Sequence, residues 1–219
     1  MELRPTPYHA MFCTEEQNPE NVDALLRVRK KIFVDEFGWD LKVKDGRERD
    51  QFDTSDAVHC LLFRHSSLIG GFRAIRTDHA YLARSVFPHL AAVKSFPQRR
   101  DCWEISRFGV LPAEERIEAA RFNYALMFRF AHLHQATALV ALVDLTYERF
   151  LTKLGIRTRR YGPPQIIGMT AAGKELWAVA GEIPLSEQSG SRFQALLSLN
   201  KQVEIRSDSS ILGRKRVSA

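Results

Sequence analysis

The sequence of 219 residues lacks the features that mark several large classes of protein. No apolar run approaches the roughly 18 residues that a membrane-spanning helix needs. The N-terminal stretch lacks the long apolar segment of a signal peptide, which favours a cytoplasmic location. Three cysteines without CxxC spacing argue against a disulfide scaffold. Cys60 and Cys102 lie in apolar runs, so the sequence predicts buried free thiols in a reducing compartment.

Short motifs of several enzyme classes are missing as well. There is no GxGxxG or GxxxxGKS phosphate loop, no HExxH zinc motif and no GxSxG nucleophile motif. The seven histidines are scattered. Two nearby acids, Asp50 and Asp53, have neither a histidine cluster nor an EF-hand pattern beside them. The sequence therefore predicts no metal site, no bound cofactor and no serine or cysteine nucleophile.

Positive charge is in excess, with a formal net charge of +6. This balance favours an acidic partner, which can be a nucleic acid, an anionic membrane surface or an acidic protein. No zinc-finger spacing, RNP-like motif or bZIP heptad supports nucleic-acid binding. Basic residues cluster in short stretches that are either solvated surface or a docking surface: Arg99, Arg100, Arg157, Arg159, Arg160 and the group at 214–216.

One domain over residues 1–200, followed by a basic flexible tail at 201–219, is the simplest organisation, since no linker separates two apolar blocks. A polar loop follows Gly38, and loops of this length are often functional. Gly70-Gly71 indicates a β-bulge or a close approach of another backbone segment. Apolar periodicity predicts strands at 6–12, 57–64, 68–76, 101–112, 137–143 and 176–180, and helices at 18–37, 112–134, 146–154 and 187–199.

The stretch DCWEISRFGVLP, residues 101–112, places charged groups inside an apolar strand. Buried ionisable groups are costly unless they are paired or used. Elsewhere in the chain further charges lie in or beside apolar segments. The full set pairs three arginines with three acids: Arg29, Arg73 and Arg107 with Asp50, Asp53 and Glu104. This set is either a structural ion-pair network, which returns little stability, or a site for a zwitterionic ligand whose carboxylate an arginine would hold.

The order and spacing of these residues resemble the LuxI-type autoinducer synthases, which make N-acyl-homoserine lactones. The matching pattern over residues 20–170 is Arg29-x3-Phe33-x5-Trp39, Asp50-x2-Asp53, Arg73 and Glu104-x-Ser106-Arg107-Phe108, with RDQFD and WEISRF around it. The resemblance implies an α/β (α+β) fold similar to N-acetyltransferases. Such a fold is a three-layer αβα sandwich whose mixed, mostly antiparallel twisted sheet is split by a V-shaped cleft.

The resemblance also implies a reaction that makes a quorum-sensing signal. Family members transfer a fatty acyl group from an acyl-carrier-protein thioester to the amine of S-adenosylmethionine. S-adenosylmethionine is thus a substrate of the reaction and not a cofactor. Lactone closure then releases methylthioadenosine. Carried over, the S-adenosylmethionine side comprises Arg29, Phe33, Trp39, Asp50, Asp53 and Arg73. Glu104 would be the base, acting through water, with Ser106 and Arg107 at the reacting centre. The acyl pocket would comprise Phe108, Ala141 and Val143.

Three expectations remain to be decided by the structure or by experiment. The connection from Gly109 to Pro112 lacks the Gly-rich loop of coenzyme A acetyltransferases, which favours a carrier protein docked on the basic clusters. Ala141 stands where members that favour 3-oxo chains tend to carry threonine, which favours an unsubstituted chain. Ideal alternation puts Arg107 on the opposite strand face from Glu104 and Ser106, behind the site, unless a bulge turns it.

Two other functions compete with the lactone synthase. One is a coenzyme A-dependent acyltransferase of the same fold that acts on another amine. The other is a non-enzymatic basic domain that binds nucleic acid, which predicts strongly salt-dependent binding. The second alternative leaves Arg29 and Glu104 without a role.

Overall fold

A computed structural model describes residues 7–207. Strands and helices alternate along this part of the chain. The strands are β1 (Tyr8–Cys13), β2 (Val43–Lys44), β3 (Arg47–Glu48), β4 (Val58–Arg64), β5 (Ser67–Arg76), β6 (Cys102–Val110), β7 (Ala138–Val143), β8 (Arg159–Arg160), β9 (Gln165–Met169), β10 (Glu175–Pro184) and β11 (Glu204–Ser207). The α-helices are α1 (Pro19–Arg29), α2 (Leu82–Val86), α3 (Arg116–Leu133), α4 (Leu145–Lys153) and α5 (Ser191–Ser198). A π-helical segment, Lys30–Glu36, continues α1.

The main sheet has the order β11-β1-β4-β5-β6-β7-β10-β8, and β9 pairs with β10. Strands β1, β4, β5 and β6 are antiparallel neighbours, and β7 is antiparallel to β10. The pairs β6–β7 and β1–β11 are parallel. The predicted mixed, mostly antiparallel sheet is therefore confirmed.

The sheet opens between β6 and β7. Their pairing runs from Cys102 opposite Ala138 to Ile105 opposite Ala141 and then stops. Beyond this point β6 pairs with β5 and β7 pairs with β10, while the diverging ends line one cavity. This is the V-shaped cleft that the resemblance implied.

Helices cover both faces of the sheet, because alternate residues of each central strand point to opposite sides. In β5, Phe72 belongs to the core under α3 and α5, whereas Ile75 belongs to the core beside α2. A further apolar cluster joins Leu25 and Leu26 of α1 to Leu61 of β4. The predicted three-layer arrangement is confirmed, and Cys60 and Cys102 are buried free thiols as expected.

The helix predicted from Pro112 begins later, at Arg116. The Leu111 amide donates to the Ile69 carbonyl, which extends the sheet contact beyond β6. A turn closed by the Arg116 amide on the Ala113 carbonyl must follow before the helix can start. Pro112 therefore lies in the turn between β6 and α3 and not in the first turn of the helix.

The C-terminal third also differs from its prediction. Strand β10 is twice as long as the segment 176–180, and the short strands β8 and β9 were not predicted because they are mostly polar or exposed. The last helix is α5 rather than 187–199. The expected tail begins later than Lys201, because β11 pairs with β1 in parallel. The rest of that tail, 208–219, lies outside the described residues. Within residues 7–207, no helix has the length and apolar character required to cross a bilayer.

Candidate active site

Six charged side chains form a closed ring beside the cleft. Arg29 at the end of α1 donates from Nε to Glu48 Oε2 at 2.6 Å and from Nη1 to Asp53 Oδ1 at 2.7 Å. Glu48 in β3 also receives Arg107 Nη2 at 3.0 Å. The alternating order around this ion-pair ring is Arg29, Glu48, Arg107, Asp50, Arg73 and Asp53.

The other side of the ion-pair ring is closed by Arg73 of β5. Its Nη1 lies 2.5 Å from Asp50 Oδ1 and 2.9 Å from Asp53 Oδ1. Arg107 Nη2 completes the circuit at 2.8 Å from Asp50 Oδ2. Each arginine therefore contacts two acids and each acid two arginines, so the ring carries no net charge.

The ion-pair ring is almost completely removed from solvent. Arg29 and Glu48 are 1% exposed and Arg73 is fully buried, while the Asp50 side chain keeps 19% exposure. Burial acts to raise the pKa of Asp53, but the charges of Arg29 and Arg73 outweigh it and hold that pKa well below its usual range. Removing one member would leave buried charges unpaired, so the ring holds its geometry cooperatively.

Glu104 does not complete the charged set, and the prediction that it does is wrong. Its place is taken by Glu48, which lies two residues before Asp50 in the sequence RERD. Glu104 instead accepts hydrogen bonds from the amides of Leu82 at 3.0 Å and Ala83 at 2.7 Å, at the start of α2. The sequence gives little indication of Glu48, because β3 has only two residues and its alternation of buried and exposed side chains is too short to recognise within a polar loop.

Glu104 is nonetheless poised to accept a proton. It is 1% exposed, and burial raises its pKa despite the hydrogen bond from the Ala83 amide and the positive charge of Arg73. A raised pKa makes a carboxylate a stronger base near neutral pH. It shares a strand face with Ser106, whose Oγ accepts a hydrogen bond from Arg73 Nε at 3.1 Å. Glu104 itself does not line the cavity, whereas Ser106 does.

A β-bulge brings Arg107 to the side of the ion-pair ring. Arg73 pairs with Ser106 and Gly71 with Gly109, so Phe72 alone faces both Arg107 and Phe108. Arg107 has a φ of +50°, which breaks strict alternation. The exception stated for Arg107 therefore applies, because a bulge is present and turns its side chain toward the ion-pair ring.

Two residues hold this bulge in place. Gly71 has a φ of +151°, and a Cβ there would lie 1.8 Å from the Cys60 carbonyl oxygen, so no other residue fits. Asn123 of α3 is fully buried and donates from Nδ2 to the Gly71 carbonyl at 3.1 Å. The predicted bulge at Gly70-Gly71 is confirmed, with the extra residue on β6.

The cavity in the cleft has a volume of about 90 Å³. One wall is aromatic, with the rings of Phe33 and Trp39 stacked at 5.1 Å. Ser106 and Arg107 lie where this wall meets the apolar one. Predicted residues in the lining are Phe33, Trp39, Ser106, Arg107, Phe108, Ala141 and Val143; Arg29, Asp50, Asp53, Arg73 and Glu104 are not in the lining. Unpredicted lining residues include Phe37, Tyr124, Met127, Tyr147 and Leu151.

The unpredicted lining residues come mostly from helices. Tyr124 and Met127 of α3 lie three residues apart, so they share one helix face. Helical periodicity identifies that face as buried but does not say whether it faces a core or a cavity. Within residues 7–207, no group of three or more His, Cys, Asp or Glu side chains lies close enough together to hold a metal ion.

The two basic clusters meet on the surface around Glu182. Arg99 Nη2 lies 3.6 Å from Glu182 Oε1, and Arg159 is opposite Glu182 in the β8–β10 pairing. Arg159 also pairs with Glu187, and Arg160 with Glu148. Arg100, with 86% of its side chain exposed, is the most open of these cations.

The sequence matches the Autoinducer synthase family over residues 14–193. An acyl-homoserine-lactone synthase of Ralstonia nicotianae is 33% identical over 160 residues, which cover 68% of this chain and 78% of that protein. The structure of TofI in a ternary complex with an inhibitor and MTA superposes with a TM-score of 0.71 at 26% identity, covering 93% of this chain and 99% of TofI.

A further solved structure supports the fold. BjaI, a CoA-dependent acyl-homoserine lactone synthase with SAM and isopentyl-CoA bound, has a TM-score of 0.77 at 22% identity, covering 92% of this chain and 93% of BjaI. The family match spans most of the chain, and the two solved structures share its fold over more than nine-tenths of its length. The chain therefore belongs to the autoinducer synthase family and is an acyl-homoserine-lactone synthase, an acyltransferase.

Proposed function

We propose that the chain transfers a fatty acyl group from an acyl-carrier-protein thioester to the α-amine of S-adenosylmethionine and then closes the lactone. The observation that carries this proposal is the junction at Ser106 and Arg107. There the ion-pair ring, the aromatic wall and the apolar cavity meet. A substrate with a charged head and an acyl chain requires both kinds of surface within one cleft.

The amino-acid substrate would bind on the aromatic side of the cavity. Its sulfonium is a cation, and the stacked faces of Phe33 and Trp39 attract cations. Arg107 and Asp50 are the ring members at the cavity side, because Arg107 lines it and Asp50 retains some exposure. They would receive the carboxylate and the ammonium respectively. Arg29, Arg73, Glu48 and Asp53 would hold these two groups rather than contact the substrate.

Acyl transfer begins when the α-ammonium loses a proton. Glu104 would accept it through a water molecule beside Ser106, since its own carboxylate stands behind the cavity lining. The neutral amine then attacks the thioester carbon, forming the amide bond and breaking the carbon–sulfur bond. The carrier thiolate leaves and takes up a proton. Ser106 is held in place by Arg73 and would position the reacting groups.

Lactone closure needs no additional charged residue, because both reacting groups belong to the substrate. The substrate carboxylate attacks its own γ-carbon, the carbon–sulfur bond of the sulfonium breaks, and methylthioadenosine leaves as a neutral thioether. The reaction joins two parts of one bound molecule, so holding them close supplies much of the acceleration. The aromatic wall that holds the sulfonium would fix this geometry.

The backbone after β6 favours a carrier protein over coenzyme A. A pyrophosphate would need free amides at the start of α3, but the Leu111 amide is bound to Ile69 and Pro112 has none. The helix also begins among acids, with Glu115 at its N-cap and Glu118 in its first turn. These charges repel an anion at that position. Because BjaI is CoA-dependent, coenzyme A remains the alternative donor.

The carrier protein would dock on the basic surface around Glu182. Carrier proteins are acidic, and this surface gathers cations from two separate parts of the chain: Arg99, Arg100, Arg157, Arg159 and Arg160. Internal ion pairs neutralise Arg159 and Arg160 in part. Arg100 pairs with Asp78 at 3.4 Å, but 86% of its side chain is exposed, so water screens that pair and the cation stays accessible to a partner.

Turnover with matched donors tests the proposal. Purified protein is supplied with S-adenosylmethionine and either acyl-carrier-protein or coenzyme A thioesters of equal chain length, while methylthioadenosine and free thiol are followed together. We expect one-to-one release and a higher kcat/KM with the carrier protein. Thiol release without methylthioadenosine would contradict lactone closure, and a preference for coenzyme A would contradict the donor.

The base is tested by Glu104→Gln, with Glu16→Gln on the exposed surface as the control. General-base catalysis contributes roughly 10²–10⁴-fold, and we expect the Glu104 variant to lose activity in that range. The wild-type kcat/KM should rise with pH through the raised pKa of Glu104, because only the ionised form accepts a proton. A variant that remains folded and active would exclude Glu104 as the base.

A further inference from the structure

Tyr124 of α3 presents an unused hydrogen-bonding group in the acyl cavity. The residue is 4% exposed and lines the cavity together with Ala141 and Met127. Its ring packs against Phe108 at 4.4 Å and Phe150 at 5.8 Å. Within residues 7–207, its hydroxyl makes no hydrogen bond to another protein group, and it is not among the fully enclosed polar atoms that lack a partner, so water or a ligand can reach it. Buried tyrosine hydroxyls usually have a partner, so a ligand or water must satisfy this one.

The surroundings keep this hydroxyl a hydrogen-bond donor. Burial raises the pKa of Tyr124, and the neighbouring Tyr147 and Asp144 raise it further, so the phenol stays protonated at all physiological pH values. Asp144 Oδ1 accepts hydrogen bonds from the amides of Thr146 and Tyr147 at the start of α4. Most of the remaining cavity lining is apolar, including Leu151 and Met127, and Ser106 and Arg107 are its other polar members besides Asp144 and Tyr147. A hydrogen-bond donor in such surroundings stabilises a bound chain that carries an oxygen within its reach.

We propose that the Tyr124 hydroxyl selects acyl chains that carry an oxygen near the thioester, as a 3-oxo or 3-hydroxy group. This inference rests on the proposed acyltransferase function and assigns its chain specificity. It reverses the expectation drawn from Ala141, because the group that Ala141 lacks is supplied from α3 across the cavity. Acyl chains bound to a carrier protein bear an oxygen at carbon 3 during elongation. A hydrogen-bond donor in the cavity can therefore distinguish an oxygenated chain from an unsubstituted one at this position.

The physical basis of the selection is asymmetric. A chain with a suitably placed oxygen satisfies the Tyr124 hydroxyl, whereas an unsubstituted chain displaces water and leaves the hydroxyl unpaired. A site that bonds a substrate oxygen therefore rejects the analogue that lacks it more strongly than an apolar pocket rejects an additional oxygen. Tyr124 would provide this selection from the side of the cavity that α3 lines.

The test compares Tyr124→Phe with wild type on pairs of thioesters that differ only at carbon 3. The control is Tyr161→Phe, a buried tyrosine that does not line the cavity. We expect wild type to favour the oxygenated donor and the Tyr124 variant to lose about tenfold in that preference. Activity on the unsubstituted donor should not fall, because the ring that packs on Phe108 remains and no hydroxyl is left unpaired.

A binding measurement separates this inference from the proposed reaction. Trp39 lines the same cavity, so its fluorescence can report binding of 3-oxo and unsubstituted acyl-homoserine lactones without turnover. The Tyr124 variant should bind the 3-oxo ligand more weakly and the unsubstituted one at least as tightly as wild type, so that the preference falls about tenfold. An unchanged preference in both assays, or an equal loss for both ligands, would overturn the role of Tyr124. Selective binding without turnover would support it while contradicting the proposed reaction.

Discussion

The two sides of the cleft depend on their neighbours to very different degrees. In the ion-pair ring each charge has two opposite charges beside it, and the chain segments that supply them lie far apart in sequence. The apolar cavity wall includes Phe108, Tyr124, Ala141 and Leu151, which are uncharged and pack through apolar contacts such as that of the Phe108 and Tyr124 rings at 4.4 Å. One side is fixed as a unit, whereas the other can change residue by residue.

This difference suits the two substrates. A zwitterionic head group of constant shape favours a rigid charged site, because preorganised charges need not rearrange when it binds. An acyl chain, whose length can differ, favours a wall in which single substitutions change volume without disturbing the fold. The strength of the contrast can be measured on both sides.

Breaking the ion-pair ring should have the largest effect on stability. In Arg29→Met, Glu48 and Asp53 each lose a buried partner, and we expect the free energy of unfolding to fall by about 3–5 kcal/mol. The matched control is the next residue, Lys30→Met, which removes a surface pair with Asp35 and should cost less than about 1 kcal/mol. Urea unfolding of the two variants checks this, and equal losses would contradict a cooperative ring.

Acid should disrupt the charged side before the apolar side. Burial lowers the pKa of His59, which faces Arg73 across β4–β5, to about 3. As the pH falls, the imidazole of His59 therefore takes up a proton in the unfolded chain before it does so in the folded protein. From this group alone, the free energy of unfolding falls by about 1.4 kcal/mol per pH unit between about pH 6.5 and 3. The lowered pKa of Asp53 adds a further loss below about pH 4.

Denaturant titrations at several pH values measure this slope. His59→Asn should flatten it between pH 6 and 4, because the replacement does not titrate. The control is His65→Asn, an exposed histidine in the β4–β5 turn. If the His59 variant kept the wild-type slope, the acid sensitivity would not arise beside the ion-pair ring.

A change in the cavity wall should alter specificity with little loss of stability. Ala141→Val adds volume at the point where β7 leaves β6. We expect preference among donors to shift toward shorter chains by about tenfold, since each methylene in an apolar pocket is worth roughly that factor. The free energy of unfolding should change by less than about 1 kcal/mol. Competition between donors of different length measures the shift, and a large destabilisation would contradict a tolerant wall.

The smallest effect is expected at the docking surface, outside both sides of the cleft. Arg100→Glu should lower kcat/KM for a carrier-protein donor by about threefold, and less at high salt, because exposed charges are screened. A small pantetheine thioester should be unaffected. Lys201→Glu, on the far edge near β11, is the control for net charge. Equal effects on both donors would place Arg100 outside the docking surface.

The charged side was largely predictable from particular residues. Arg29, Arg73, Arg107, Asp50 and Asp53 stood out because charge on an apolar face is costly. Glu48 escaped notice because it lies in a polar loop where charge costs nothing until β3 folds against α1. Glu104 was assigned to the wrong partners, since a strand position fixes a side chain's face but not which neighbour it meets. On the apolar side, Tyr124 looked like any aromatic residue in a buried helix.

The sequence alone determined the family, the alternation of strands and helices and most of the charged residues, because local periodicity and desolvation cost are properties of short segments. The tertiary structure alone decided the closed order of the ion-pair ring, the turn of Arg107 into it and the hydroxyl of Tyr124 in the cavity. These depend on contacts between segments tens of residues apart. The bulge at Arg107 shows the reason most directly. One extra residue, facing Phe72 and anchored by Asn123 from a distant helix, changes which face a side chain occupies.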